Sequence, residues 1–149
     1  MMPIDVAELF RPPKVTVEAK KHGLQPGHAM DLSTGWDFGT KDHQMQTVRY
    51  VDDIKPWLLI GNPGCSIFSP LRRFSGWNAS KEGRWTEAPE HLQFVIRLYR
   101  KQLLARRLFL HMHPKDATSW YLPETRRLTA MPGVVMTDME QCMYGLKAP

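Results

Sequence analysis

The sequence predicts an α/β fold of the Rossmann-like type, in which a mostly parallel sheet lies between layers of helices. Short apolar runs alternate with helical patterns along the 149 residues, and this alternation is typical of repeated β-α-β units. The run 57–60 is apolar throughout, as in a strand buried on both faces. Right-handed crossovers then place helices on both sides of the sheet. We expect one three-layer α/β/α sandwich over residues 1–149, either complete or a fragment of a longer protein.

The first half of the chain supplies three predicted strands and two predicted helices. In chain order they are strand 4–10, helix 15–22, strand 28–32, helix 41–55 and strand 57–60. Pro13 suits a helix start because its missing N–H would be unpaired there, and Gly23 suits a helix end. The apolar stripe of the second helix is predicted at Met45, Val48 and either Asp52 or Ile54.

The second half supplies two further helices and two further strands after a long loop over 62–84. They are helix 86–107, strand 108–112, helix 123–131 and strand 134–137. Thr86 or Glu87 caps the first of these helices, and Pro89 lies in its first turn. Its apolar stripe is predicted at Leu92, Val95, Ile96, Tyr99 and Leu103. We place the first strand at the centre of the sheet, between those ending at Met30-Asp31 and at Ile60.

Composition sets broad limits on the class of protein. The formal net charge is +5, which permits a polyanionic partner without requiring one. No apolar run reaches the length of a membrane span, and the first residues lack a secretory pattern. The two cysteines, Cys65 and Cys142, form no metal-binding pair, so we expect an intracellular protein, cytoplasmic or nuclear, with no metal. The sequence does not indicate the oligomeric state.

Four strand ends carry the candidate chemistry. Ligands of open α/β sheets bind beyond the carboxyl ends of the strands, and the predicted ends there are Phe10, Asp31, Cys65 and His111-Met112-His113. A thiol that follows a Pro/Gly turn is well placed to react. Free cysteines are more often buried and inert, so a packing role for Cys65 remains the alternative.

These residues resemble the cytosine carbon-5 DNA methyltransferases. Gly61-Asn62-Pro63-Gly64-Cys65-Ser66-Ile67-Phe68-Ser69 is similar to the family's Gly-x-Pro-Pro-Cys-x-x-Phe-Ser nucleophile motif. The segment 6–10 is similar to its Asp-Leu-Phe strand, and 109–114 lies where the family has a Glu-Asn strand end. The resemblance covers about residues 4–115. Segments 117–120 and 138–146 also resemble methyltransferase-like modules of retroelement polyproteins.

The resemblance implies a mechanism and a set of site residues. The Cys65 thiolate would add to carbon 6 of a flipped cytosine, and carbon 5 would then take the methyl group of S-adenosylmethionine. The expected cofactor-binding residues are Phe10, Asp31, Asn62 and Pro63. The expected DNA contacts are Ser66, Ser69, Arg72 and Arg73.

Three positions differ from the family pattern. Arg11-Pro12-Pro13-Lys14 replaces the Gly-rich cofactor loop, Met112 replaces the catalytic Glu, and Gly64 replaces the second Pro. Met cannot move a proton, and loss of a general acid costs about 10²–10⁴ in rate. Two classes of function therefore stay open. One is a weak or inactive methyltransferase, and the other is a non-catalytic module that binds nucleic acid or another part of a polyprotein.

Two further features have structural and functional interpretations. His111 and His113 share a strand face, which suits a metal pair, but no third ligand is in register, so a structural role is favoured. Trp36 and Trp77 lie on loops at the expected ligand edge and are candidates for stacking on bases. A role in anchoring the loops is the alternative for both.

Overall fold

The computed structural model describes residues 2–64, 68 and 82–144, and within them it has an α/β Rossmann-like fold. Its sheet has four parallel strands in the order β2-β1-β3-β4. The strands are β1 (Val6–Leu9), β2 (Pro26–Met30), β3 (Leu58–Gly61) and β4 (Leu108–His111). The helices are α1 (Val15–Lys21), α2 (Lys41–Ile54), α3 (Glu82–Leu104) and α4 (Pro123–Thr129). Short 3₁₀ turns lie at Leu32–Thr34, Thr118–Tyr121 and Gln141–Tyr144.

The predicted strand order is confirmed for the centre of the sheet. β1 pairs with β2 on one side and with β3 on the other. Leu9 lies opposite both Met30 and Gly61, and Gly61 in turn lies opposite His111. The four strands therefore end at one level. Any residue that directly follows a strand lies at the same edge of the sheet.

The two faces of the sheet are buried against different helices because side chains alternate along each strand. Val6 and Ile60 pack with Ala19 of α1 on one face. Ala7 and Leu59 belong to the main core, together with residues of α2, α3 and α4. This confirms the three-layer arrangement. In the described part of the chain, no helix is long and apolar enough to cross a membrane.

Helix α3 packs directly on the sheet, and its predicted apolar stripe is confirmed. Leu92, Val95, Ile96 and Tyr99 are all buried, and Leu103 is partly buried against the same core. Gly61 of β3 lies directly beneath this helix. A Cβ atom added there would meet Val95 Cγ2 at 2.8 Å and the Tyr99 hydroxyl, so the close approach of α3 to β3 requires a residue without a side chain.

One predicted strand is wrong. Residues 134–137 are not paired in the sheet, and the chain runs through them without regular structure. Val134 closes a turn onto Met131, and the next two apolar residues face solvent, with Val135 84% and Met136 58% exposed. A three-residue apolar run that buries little surface gains too little from hydrophobic burial to hold a strand in place.

Two helix details also differ from the predictions. Helix α3 begins at Glu82, so Pro89 lies inside the helix instead of in its first turn, and the loop predicted over 62–84 ends earlier. Pro89 removes one backbone donor there, and the helix continues through it. In α2 the buried residues are Thr47 and Val51. Met45 is 54% exposed, and Asp52 forms an ion pair at the surface with Lys101.

Candidate functional site

The carboxyl edge of the sheet brings together the predicted site residues that the structure describes. Asp31 follows β2, Phe10 follows β1 and Asn62 follows β3. Met112 follows β4, and its amide donates to the Gly61 carbonyl. The side chains at this edge determine what the edge can bind.

Glu8 anchors the loop that follows β1. It is fully buried, and its Oε1 accepts hydrogen bonds from the Thr16 amide (2.6 Å), the Thr16 hydroxyl (2.8 Å) and the Lys14 amide (3.1 Å). Lys14, which precedes α1, provides no side-chain cap. The Glu8 carboxylate therefore satisfies amides at the start of α1. The same amides are then engaged and do not face a ligand.

Arg11 extends from the end of β1 to the end of β4. Its Nε lies 3.1 Å from Glu8 Oε2 in an ion pair, and its Nη1 lies 4.0 Å from Met112 Sδ. Because β3 separates β1 from β4, the Arg11 side chain passes the end of β3 to make this contact. Two of the three positions that depart from the methyltransferase pattern, the loop and the missing Glu, thus touch each other.

Phe10 and Asp31 make contacts within the protein. Phe10 has the left-handed backbone angle φ = 60°, and its ring packs at 4.6 Å from that of Phe38 and 5.2 Å from that of His91. Asp31 Oδ1 accepts from the Ser33 amide and caps the 3₁₀ turn that follows β2. The aromatic ring is therefore part of the core packing, and one oxygen of the carboxylate is occupied.

Asn62 and Pro63 continue the β3 backbone into the edge. The Asn62 amide donates to the Leu9 carbonyl at 3.1 Å. The Pro63 carbonyl accepts from His113 Nε2 at 2.9 Å. A carbonyl can only accept, so we assign the His113 proton to Nε2, and its Nδ1 accepts from the Ser119 hydroxyl at 2.6 Å. His113 thereby joins the ends of β3 and β4.

This serine–histidine contact does not form a nucleophile. Burial lowers the pKa of His113, although the bond to Pro63 opposes the shift. Such a lowered pKa would suit a base, but Ser119 is only 1% exposed. A substrate carbonyl cannot reach its oxygen without rearrangement of the chain. The pair therefore has a structural role, which agrees with the interpretation favoured from the sequence.

His111 lies on the α3 side of β4 and is held by Tyr99. The Tyr99 hydroxyl lies 3.0 Å from His111 Nδ1. Burial, with a smaller contribution from the charge of His113, lowers the pKa of His111 to about 3. Burial also raises the pKa of Tyr99 well above its usual value. Both groups are therefore neutral at pH 7. His111 Nε2 is buried and makes no hydrogen bond within the described residues.

Several predicted site residues lie outside the described residues. These are Cys65, Ser66, Ser69, Arg72, Arg73 and Trp77. Trp36 is described, and it packs against Phe38 and His43, which supports a role in anchoring its loop. Within the described ranges, no group of three His, Cys, Asp or Glu side chains is arranged to hold a metal ion.

Glu8 and Arg11 are the site residues that the sequence interpretation missed. An acidic residue within an apolar strand must find partners when it is buried. Glu8 stands between Ala7 and Leu9 in such a strand, and the nearest cation along the chain is Arg11. This signal could have identified the ion pair. The reach of Arg11 to Met112 depends on the strand order and could not be seen in the sequence alone.

Comparisons of the chain with protein-family models, with curated proteins and with solved structures found no match. The fold and the geometry of the site therefore carry the functional argument.

Proposed function

We propose that this chain is a degenerate methyltransferase-like domain that does not use S-adenosylmethionine and acts as a non-catalytic nucleic-acid-binding module. The observation that carries the proposal is the path of Arg11 from Glu8 to Met112. In the methyltransferases that the sequence resembles, a glycine-rich loop leaves this edge open. Here a long cationic side chain lies across it.

The residues present do not fit the cofactor. Pro12 and Pro13 have no backbone N–H to offer, and the amides of Lys14 and Thr16 donate to Glu8. The Phe10 ring contacts the Phe38 ring. A methionine carboxylate or a ribose would have to displace these contacts before it could bind.

The net charge of +5 supports a nucleic-acid partner. A basic protein gains affinity for a polyanion through the release of counterions.

A second candidate function, the cytosine methyltransferase itself, is favoured by the Cys65 motif in the sequence. Met112 argues against that alternative, because a thioether cannot act as the acid that the reaction needs.

Isothermal titration calorimetry with S-adenosylmethionine tests the proposal. We expect no binding with a dissociation constant tighter than about 1 mM, or roughly −4 kcal/mol. The Arg11→Ser variant is titrated in the same way for comparison, because it lacks the side chain that spans the edge. A dissociation constant near 1 μM for the parent chain, about −8 kcal/mol, would contradict the proposal and favour the enzyme.

A further inference from the structure

A cleft between α3 and α4 is lined by three arginines. Arg97 and Arg100 come from α3, and Arg127 comes from α4. Gln93 and Glu124 complete the polar lining, and the cleft has a volume of about 300 Å³. This is roughly ten times the ~30 Å³ that one water molecule occupies in the liquid. The cleft is therefore large enough for more than a single ion.

Helical spacing explains why the charges face the same space. Residues three or four apart share one side of a helix, so Arg97 and Arg100 project together with Gln93. The opposite side of α3 carries the buried stripe and packs on the sheet. Arg126, the neighbour of Arg127, lies over the Tyr121 ring at 5.8 Å and is not part of the cleft lining.

The positive charge of this cleft is only partly compensated within the described residues. None of the three arginines has a described carboxylate partner, whereas Lys21, Lys101 and Lys115 each form an ion pair. Of the described residues that line the cleft, Glu124 alone carries a carboxylate, and its Oε1 lies 3.4 Å from Gln93 Nε2. Three cations and one anion leave a local charge of +2. Like charges that line one cleft repel each other unless a ligand neutralises them.

We propose that this cleft binds the phosphodiester backbone of nucleic acid. The inference rests on the proposed function and locates its contact surface on α3 and α4, away from the loop after β3 that the sequence suggested. Guanidinium groups match phosphate oxygens in geometry and are weakly hydrated, so arginine is well suited to this contact. Three arginines from two helices fit a run of adjacent phosphates better than one isolated anion.

The test uses fluorescence anisotropy with a labelled 20-base-pair DNA duplex of arbitrary sequence. The triple variant Arg97→Gln, Arg100→Gln, Arg127→Gln should bind at least about 10-fold more weakly, and the salt slope of log K should fall by about 2 to 3. The matched control is Lys20→Gln, Lys41→Gln, Arg49→Gln, which removes the same charge from exposed positions on α1 and α2. Gln has a helix propensity close to that of Arg and Lys, so both variants should fold, which circular dichroism verifies.

A second pair of variants tests the cleft in the opposite direction. Glu124→Gln should strengthen binding several-fold, because it removes the carboxylate from the cleft. Asp42→Asn is the control, since Asp42 likewise lies in the first turn of its helix and accepts a hydrogen bond from a Gln side chain. Equal losses of DNA affinity in the two triple variants would overturn the proposal that the cleft binds nucleic acid. Equal affinities of Glu124→Gln and Asp42→Asn would overturn it as well. Either result would leave the proposed function unaffected. Failure of the parent chain to bind the duplex at 50 mM salt would overturn both the cleft proposal and the proposed function.

Discussion

At the scale of single residues, the site is defined by side chains that satisfy each other. Glu8 is buried with an ion-pair partner and three hydrogen-bond donors, so its charge is compensated from within the loop. His113 joins the ends of β3 and β4 through its Nε2, and its Nδ1 contacts the Ser119 hydroxyl. Glu8 Oε1 and both ring nitrogens of His113 are thus already engaged and have little to offer a ligand, and this is the physical basis for proposing a non-catalytic role.

His111 gives the first prediction at this scale, which concerns pH. Its pKa is lowered to about 3 in the folded chain, against an ordinary value of 6.5. Below pH 6.5 the unfolded chain takes up a proton that the folded chain does not, so stability is full above about pH 6.5 and falls as the pH drops toward 3. Between pH 7 and pH 5, this single group should lower the free energy of unfolding by about 2 kcal/mol.

Urea unfolding at pH 7 and pH 5 measures this effect. His111→Gln should remove about 1–2 kcal/mol of the difference between the two pH values, because glutamine does not titrate. His28→Gln, at an exposed histidine of β2, should leave the difference unchanged. If His111→Gln retained the full pH dependence of the parent chain, other groups would be responsible for it.

At the scale of elements, the sequence predicted most of the sheet and missed what depends on tertiary contacts. The strands that carry Leu9, Met30 and Ile60 were predicted with their order because alternating β-α-β units allow few topologies. The strand at 134–137 was predicted from an apolar run. This prediction is wrong because the run is not buried, as the exposure of Val135 shows. The start of α3 was missed because a proline near a helix start is usually in the first turn.

The candidate site was less predictable than the sheet. Its position at the carboxyl edge follows from topology, and Phe10, Asp31 and Asn62 were correctly placed there. The direction of the Phe10 ring and the reach of Arg11 depend on which side chains fill the core. Such choices are made by packing between distant parts of the chain, and no local pattern encodes them.

Strand β4 gives a prediction at the scale of elements. The amides of Leu108 and Met112 donate to carbonyls on the β3 side. The amides of Phe109 and His111 alternate with them and point to the other side of β4, where no described strand pairs. Hydrogen exchange followed by NMR should show slow exchange for Leu110. Phe109 and His111 should exchange faster by on the order of 10² or more. Equal protection of all three amides would show that another strand covers this edge.

At the scale of the whole molecule, the two helical layers differ in extent. Among the described residues, one face of the sheet packs against α2, α3 and α4, and the only helix that packs on the other face is α1, which has seven residues. On that second face Leu108 is 51% and Leu110 is 44% exposed. The carboxyl edge is stabilised by contacts between strand ends. Among those described, the contact of Arg11 with Met112 joins residues that are far apart in the sequence, 101 positions from each other. The proposed nucleic-acid contact is therefore separable from the sheet edge, because the arginine cleft of α3 and α4 is built from other residues.

The last prediction asks whether the edge alone prevents catalysis. The combined variant Arg11→Ser, Pro12→Gly, Lys14→Gly, Met112→Glu removes the spanning side chain, restores the backbone donor at position 12 and supplies a general acid. With S-adenosylmethionine and an oligonucleotide containing 5-fluorocytosine, we expect a covalent adduct that survives denaturing electrophoresis, because fluorine at carbon 5 cannot leave as a proton does. The general acid alone should contribute about 10²–10⁴ in rate. The same variant with Cys65→Ser should form no adduct, since it lacks the thiol that the sequence motif identifies as the nucleophile. A repaired chain that folds, binds the cofactor by calorimetry and still forms no adduct would show that the resemblance at Cys65 does not extend to its chemistry.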